Sequence, residues 1–125
     1  MNVPSHLKYT KDHEWVAIDG DNVRVGITDY AQDALGDIVF IQLPDVGTVV
    51  DANQSFSEIE STKSVNDVYS PMSGTVAKIK EDLRDTPELL NSDPYGQGWI
   101  CELAGVALEG AELMDADVYR GLIGA

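Results

Sequence analysis

The chain has one cysteine, two histidines and only 8 basic residues against 22 acidic ones in 125 positions. Each shortage removes a class of function. A lone Cys101 cannot form an internal disulfide, which points to a reducing compartment. It sits in Trp99-Ile100-Cys101-Glu102-Leu103. Strand alternation puts Trp99, Cys101 and Leu103 on one face, so a buried structural thiol is expected rather than a nucleophile. His6 and His13 fall in a segment that reads as surface, and with a single cysteine they assemble no nucleophile–base pair for a hydrolase or transferase. His13-Glu14 starts like a zinc-protease motif, but Ala17 stands where the second histidine would be needed, so no metal site is expected. Gly96-Gln97-Gly98 runs into Trp99 instead of a helix start, so a turn explains it better than a phosphate cradle. A net charge of −14 would repel a phosphate backbone or an anionic bilayer, so neither nucleic acid nor membrane is an expected partner. Basic clefts on other proteins are compatible with it. Met1 to Trp15 lacks the apolar core of a signal peptide, and no apolar run is long enough for a membrane span. The expected location is the cytoplasm, or the mitochondrial matrix of a eukaryote after processing.

What the chain does have is a series of short strand-like runs, compatible with one domain over residues 1–125. Trp15 to Ile18 and Val23 to Ile27 flank Asp19-Gly20-Asp21-Asn22 and read as a hairpin. Thr28 to Gly36 reads as a short helix with Thr28 as N-cap and Gly36 as stop. Ile38 to Leu43 is apolar on both faces, as a buried strand is, and Pro44 closes it. Gly47-Thr48-Val49-Val50 returns as Gly74-Thr75-Val76-Ala77, each copy after a proline-containing turn. Four residues are too few to separate chance from internal symmetry. Thr86-Pro87-Glu88 announces one helical turn capped by Thr86, and Ala111 to about Ile123 reads as a helical tail with a break near Asp115. The fold class is α+β and mainly β: a small sandwich or barrel with short peripheral helices and a C-terminal helix.

Lys63 is the only basic residue between Arg24 and Lys78. It lies between the two copies of the repeat, in Glu60-Ser61-Thr62-Lys63-Ser64, so a hairpin over about residues 55–70 would carry it at an exposed tip. A lysine in a polar turn is ordinarily a solvated charge. An isolated amine among small residues is also an accessible target for acylation, which would neutralise it. Strands on both sides would fix its root while the side chain swept a volume.

At these residues the sequence resembles the glycine cleavage H-protein family, within the lipoyl and biotinyl carrier group. The lysine segment has the glutamate three before it, Glu60, and the glycine eleven after it, Gly74. Further matching blocks are Tyr9-Thr10-Lys11-Asp12-His13-Glu14-Trp15, Val25 to Gln32, Leu35 to Phe40, and Asn91 to Trp99. A biotinyl carrier would resemble its own family by methionines beside the lysine, where this chain has Thr62 and Ser64. Asp12 stands where some relatives have serine, and Ala34 where some have histidine.

The resemblance implies a barrel-sandwich hybrid and a covalent lipoate on Lys63, with Glu60 and Gly74 recognised by the lipoylating enzyme. It implies a carrier and not an enzyme. The arm would take an aminomethyl group from a pyridoxal-phosphate glycine decarboxylase, give it up to a folate-dependent aminomethyltransferase, and be reoxidised by dihydrolipoamide dehydrogenase. Glu14 and Asp67 would line the cleft in which the loaded arm rests. The free carrier is expected to be monomeric. A related protein relaying lipoyl groups to other complexes would use the same lysine.

Overall fold

Alternating apolar and polar residues make strands through most of the chain. The computed structural model describes residues 1–124, and Ala125, the last residue of the expected domain, lies outside them. Among the described residues the order is β1 (Lys8–Tyr9), β2 (Glu14–Asp19), β3 (Asn22–Ile27), α1 (Asp29–Leu35), β4 (Ile38–Gln42), β5 (Val49–Val50), β6 (Ser55–Ser61), β7 (Val65–Tyr69), β8 (Ser73–Ile79), α2 (Asp82–Asp85), α3 (Leu89–Ser92), β9 (Cys101–Ala107) and α4 (Ala116–Ile123). The sheet β1-β2-β3-β9-β8-β5 has six strands and β4-β6-β7 has three, with every pairing antiparallel. This is the mainly β, two-sheet architecture with short helices that the sequence implied.

Local signals account for most of the elements. β2 and β3 close on Gly20, which takes φ +63, with Asp19 paired to Asn22. Thr28 caps α1 by accepting from the Ala31 N–H at 3.2 Å, and Gly36 ends it. The two copies of the repeat pair with each other: Val49 lies opposite Thr75 and Val50 opposite Gly74. One core fills the space between the sheets, joining Val16, Val25, Val76 and Leu103 of the larger to Ile41, Ile59 and Val68 of the smaller. Cys101 is buried in it, which pushes its thiol up to about 12, consistent with a structural role.

Four expectations change. β4 is not buried on both faces: a bulge between Ile38 and Phe40 turns Val39 and Phe40 out, each 52% exposed. Trp99 stands just ahead of β9, with the Arg24 guanidinium 4.4 Å from its ring centroid. Thr86 follows α2 as its C-cap, and α3 starts at Leu89 with Glu88 as N-cap. The tail is helical only from Ala116, because Asp115 caps α4 and Met114 bridges to Tyr9 through paired backbone bonds of 2.7 and 2.8 Å.

A second, smaller core holds α4 in place. Tyr119 stacks on Tyr9 with ring centroids 4.7 Å apart, and its hydroxyl lies 2.7 Å from Thr28 Oγ1 and 2.8 Å from His13 Nδ1. A buried hydroxyl with both partners met stabilises, whereas its removal leaves them unsatisfied. Tyr119→Phe is expected to lose about 1–2 kcal/mol of unfolding free energy in urea titration. Wild-type stability in that variant would contradict this role.

Candidate functional site

The hairpin tip is built by one side chain. Ser61 is buried at the end of β6, and its hydroxyl oxygen accepts from the N–H groups of Lys63 and Ser64, each at 3.2 Å. Its own N–H donates to the Ser64 carbonyl at 2.8 Å. The turn is also tied to the rest of the molecule, since the Thr62 N–H donates to the Asp37 carbonyl at 3.0 Å. Lys63 itself is exposed and enters no ion pair among the described residues. Its stem passes over Gly36, where a Cβ would come within 3.2 Å of Lys63 Cε. The glycine at the end of α1 therefore serves two ends: it takes φ +78, and it leaves a groove for the root of the side chain.

A cleft of about 210 Å³ opens between α1, the segment from Asp12 to Glu14, and the β6–β7 hairpin. Ile27, Ala31, Leu35, Ile59 and Val68 form apolar walls, and Asp12, Glu14 and Asp67 complete the lining with three acidic residues. Glu14 is only 2% exposed. Thr10 Oγ1 donates to its Oε1 at 2.6 Å and the Tyr69 N–H to its Oε2 at 3.3 Å. Burial nevertheless pushes its carboxyl up to about 7; the two hydrogen bonds oppose that shift and the Asp12 charge adds to it. Asp67 is exposed, and it accepts from Ser55 Oγ at 3.0 Å.

The sequence places His13 on the surface, and the structure corrects this. It lines the cleft in the left-handed region at φ +67, its ring 4.7 Å from that of Tyr30. Bonds from His13 N to the Thr10 carbonyl and from Thr28 N to the His13 carbonyl hold it there. Burial lowers its pKa. The ring partner is Tyr119, 106 residues away, so no local signal could have found the arrangement.

A solitary lysine at a braced hairpin tip, beside an apolar cleft with carboxyl groups, matches a carrier geometry. The family model for the glycine cleavage H-protein matches residues 7–124. The chain belongs to the glycine cleavage H-protein family. Among its relatives, the glycine cleavage system H protein of Mycobacterium tuberculosis (strain ATCC 25177 / H37Ra) is 54% identical over 130 aligned residues, covering 98% of this chain and 97% of that one. That of Mycobacterium avium (strain 104) is 54% identical over 128, with the same coverage. The crystal structure of a glycine cleavage system H protein from Mycobacterium marinum superposes with a TM-score of 0.90 at 43% identity, covering 98% of this chain and all of that one. As a member of this family the chain is a lipoyl carrier of glycine cleavage, a component that is not itself an enzyme.

Within the H-protein frame, the other residues singled out from sequence separate spatially. Glu60 is exposed on β6 opposite Val65, at the last ladder pair before the lysine turn. Asp12 and Ala34 both line the cleft. Gly74 is brought to neither: it is buried in β8, where a Cβ would lie 3.2 Å from the Ala104 carbonyl oxygen and 3.1 Å from Val106. Close approach of β9 is sufficient reason for a glycine there.

Glu14 also sets a pH signature. The folded chain binds its proton more tightly than the unfolded chain, so this residue's contribution to stability is complete below about pH 4.5 and is lost as pH rises through about 7. Between pH 5 and 8 the unfolding free energy of wild type should fall relative to that of Glu14→Gln, by on the order of 2–3 kcal/mol. Urea titrations of both proteins at the two pH values measure this, and a pH-independent difference would refute it.

Proposed function

We propose that Lys63 Nζ carries the lipoyl group, and that Glu14 and Asp67 hold the cargo end of that arm in the cleft. The observation that carries this reading is the pairing of one free, exposed lysine on a fixed root with a cleft that is apolar along its walls and acidic at its lining. The residues present fit such a group. Ile27, Leu35, Ile59 and Val68 suit an aliphatic chain, and Glu14 and Asp67 suit a cationic terminus. When bound, the lipoyl group supplies a disulfide that accepts an aminomethyl unit with two electrons. Glu60, three residues before the lysine, contributes to recognition by the lipoylating enzyme.

The chain's own residues then do three things. Ser61 and the Asp37 carbonyl fix the root of Lys63, so the volume swept by its end is defined and the local concentration offered to a docked enzyme is raised. The apolar walls exclude water from whatever lies in the cleft. The carboxyl groups favour a cationic occupant over a neutral one. A charge pair at about 4 Å is worth roughly 1 kcal/mol in water and roughly 4 at an effective dielectric of 20. That is enough to bias docking towards the charged cargo while leaving it releasable. With Glu14 poised near 7, part of this bias is lost as pH falls.

The partners in this reading are the glycine decarboxylase, which supplies the aminomethyl unit, the folate-dependent aminomethyltransferase, which removes it, and dihydrolipoamide dehydrogenase, which reoxidises the dithiol. A cytoplasmic location is in keeping with the bacterial relatives, and no helix among the described residues is long and apolar enough to cross a membrane.

Intact mass of the protein from lipoate-replete cells should show one lipoyl group, mapped to Lys63 and absent from Lys63→Arg; an unmodified lysine there would sink the reading. In the purified acylated carrier, Glu14→Gln should hasten hydrolytic loss of the aminomethyl cargo several-fold, since removing one close charge is worth on the order of 1 kcal/mol. An unchanged loss rate would remove Glu14 from the docking site.

A further inference from the structure

The outer face of the smaller sheet carries exposed apolar residues beside the lysine turn, on either side of the Glu60 that the reading above assigns to recognition. Phe40 pairs with Glu60 and Glu60 with Val65. Directly paired residues share a face, so Phe40, Glu60 and Val65 form one row across β4, β6 and β7. Phe40 is 52% exposed and Val65 55%, with Val39 turned out at the adjoining bulge. The next row on the same face is Gln42, Glu58 and Asp67. The sheet thus presents two apolar side chains flanking a carboxylate, backed by Glu58. The only cation in the hairpin is Lys63.

We propose that this face is the docking surface for the enzyme that acylates Lys63, a partner whose active-site rim is basic and holds an apolar notch for Phe40 and Val65. The inference rests on the reading that Lys63 is acylated. Geometry selects this occupant over enzymes that act on the finished arm. Acylation takes place at Nζ, so the catalyst must approach within the length of one lysine stem, where it meets the last ladder pairs of the hairpin. An enzyme acting on the far end of a long arm has no need to touch them. Charge points the same way, because Glu58 and Glu60 would steer a basic surface towards the tip and fix its orientation. Exposed aromatic and branched side chains next to a reactive group are what such a contact buries at its centre.

The step itself balances. The Lys63 amine, having lost one proton to solvent or to a base on the enzyme, attacks the carbonyl carbon of a lipoyl adenylate. The C–N bond forms, the C–O bond to the phosphate breaks, AMP leaves with the electron pair, and the nitrogen gives up a second proton.

The test uses the full unacylated chain with a purified adenylate-forming lipoate ligase, lipoate and ATP, following the mass of the chain with time. Phe40→Ser and Val65→Lys should each raise KM about tenfold with kcat retained, the scale of losing one interface anchor worth about 1.4 kcal/mol. Phe40→Leu should keep most of the wild-type KM. Val118→Ser, an exposed apolar residue on α4, should behave as wild type. Wild-type KM should rise with salt. Thermal unfolding of each variant checks that the fold is retained, and Val65→Lys, at an exposed strand position, keeps the test open should Phe40→Ser unfold. Wild-type KM in folded Val65→Lys, an equal effect from Val118→Ser, or a salt-independent KM would overturn the proposal. So would variants that acylate normally but weaken engagement of the acylated carrier by glycine decarboxylase, which would assign the face to that partner instead. Failure of the wild-type chain to be acylated at Lys63 would overturn the underlying reading, a result distinguishable from all of these.

Discussion

Everything at the hairpin tip depends on the inner face of β6 and β7. Ile59 and Val68 are buried against the larger sheet, where Val16, Val25, Val76 and Leu103 fill the other side of the same core. A two-stranded hairpin alone is marginal in water. Pairing to β4 and burial of that face are what turn this one into a rigid support. The polar contacts at the tip then add direction: Ser61 ties the turn to itself and the Asp37 carbonyl ties it to the end of α1. A mobile side chain on a fixed root requires both, because packing alone would leave the turn free to change shape and hydrogen bonds alone would not survive exposure.

Glu14 is the polar counterpart of that core contact. It belongs to β2 in the larger sheet, yet it accepts from the backbone N–H of Tyr69 at the end of β7 in the smaller one. A carboxyl that is 2% exposed costs free energy when charged, and the Thr10 and Tyr69 bonds offset only part of that cost. The result is an acid held near neutrality at the junction of the sheets, facing a cleft. Removing it would do more than delete a charge, because the same atoms link the two layers. The structure spends stability here in a place where an apolar residue would pack at lower cost, as functional sites characteristically do.

Features governed by near neighbours were legible in the sequence. Thr28 and Gly36 mark the ends of α1 because a cap and a left-handed stop are local chemistry. The lysine turn was legible from small polar residues between two alternating strands, and the burial of Cys101 from strand alternation. What could not be read depends on distance in sequence. The bulge that exposes Val39 and Phe40 arises from the register of β4 on β6, not from the composition of β4, which looks like a buried strand. His13 is placed by a backbone at positive φ and by a tyrosine 106 residues on. The stretch before α4 has helical composition, but a bridge from Met114 to Tyr9 claims it. Gly74 shows the opposite case, where a motif position noticed for function has a sufficient packing explanation.

The three surfaces of the hairpin are compatible because strand side chains alternate with period two. Ser57, Ile59 and Ser61 point inward while Glu58 and Glu60 point out. The inward set pins the register, since a slip by one residue would bury two carboxylates and expose Ile59. That cost is paid by no single contact but by the whole face. The register in turn sets Glu60 opposite Val65 and next to Phe40, and leaves Thr62 and Lys63 at the tip. The proposed attachment point and docking row therefore inherit their positions from the core. Because the outer residues contribute little to folding, they are free to serve a partner. Phe40 is thus held by the same register at the edge of the proposed contact, exposed and unneeded by the core.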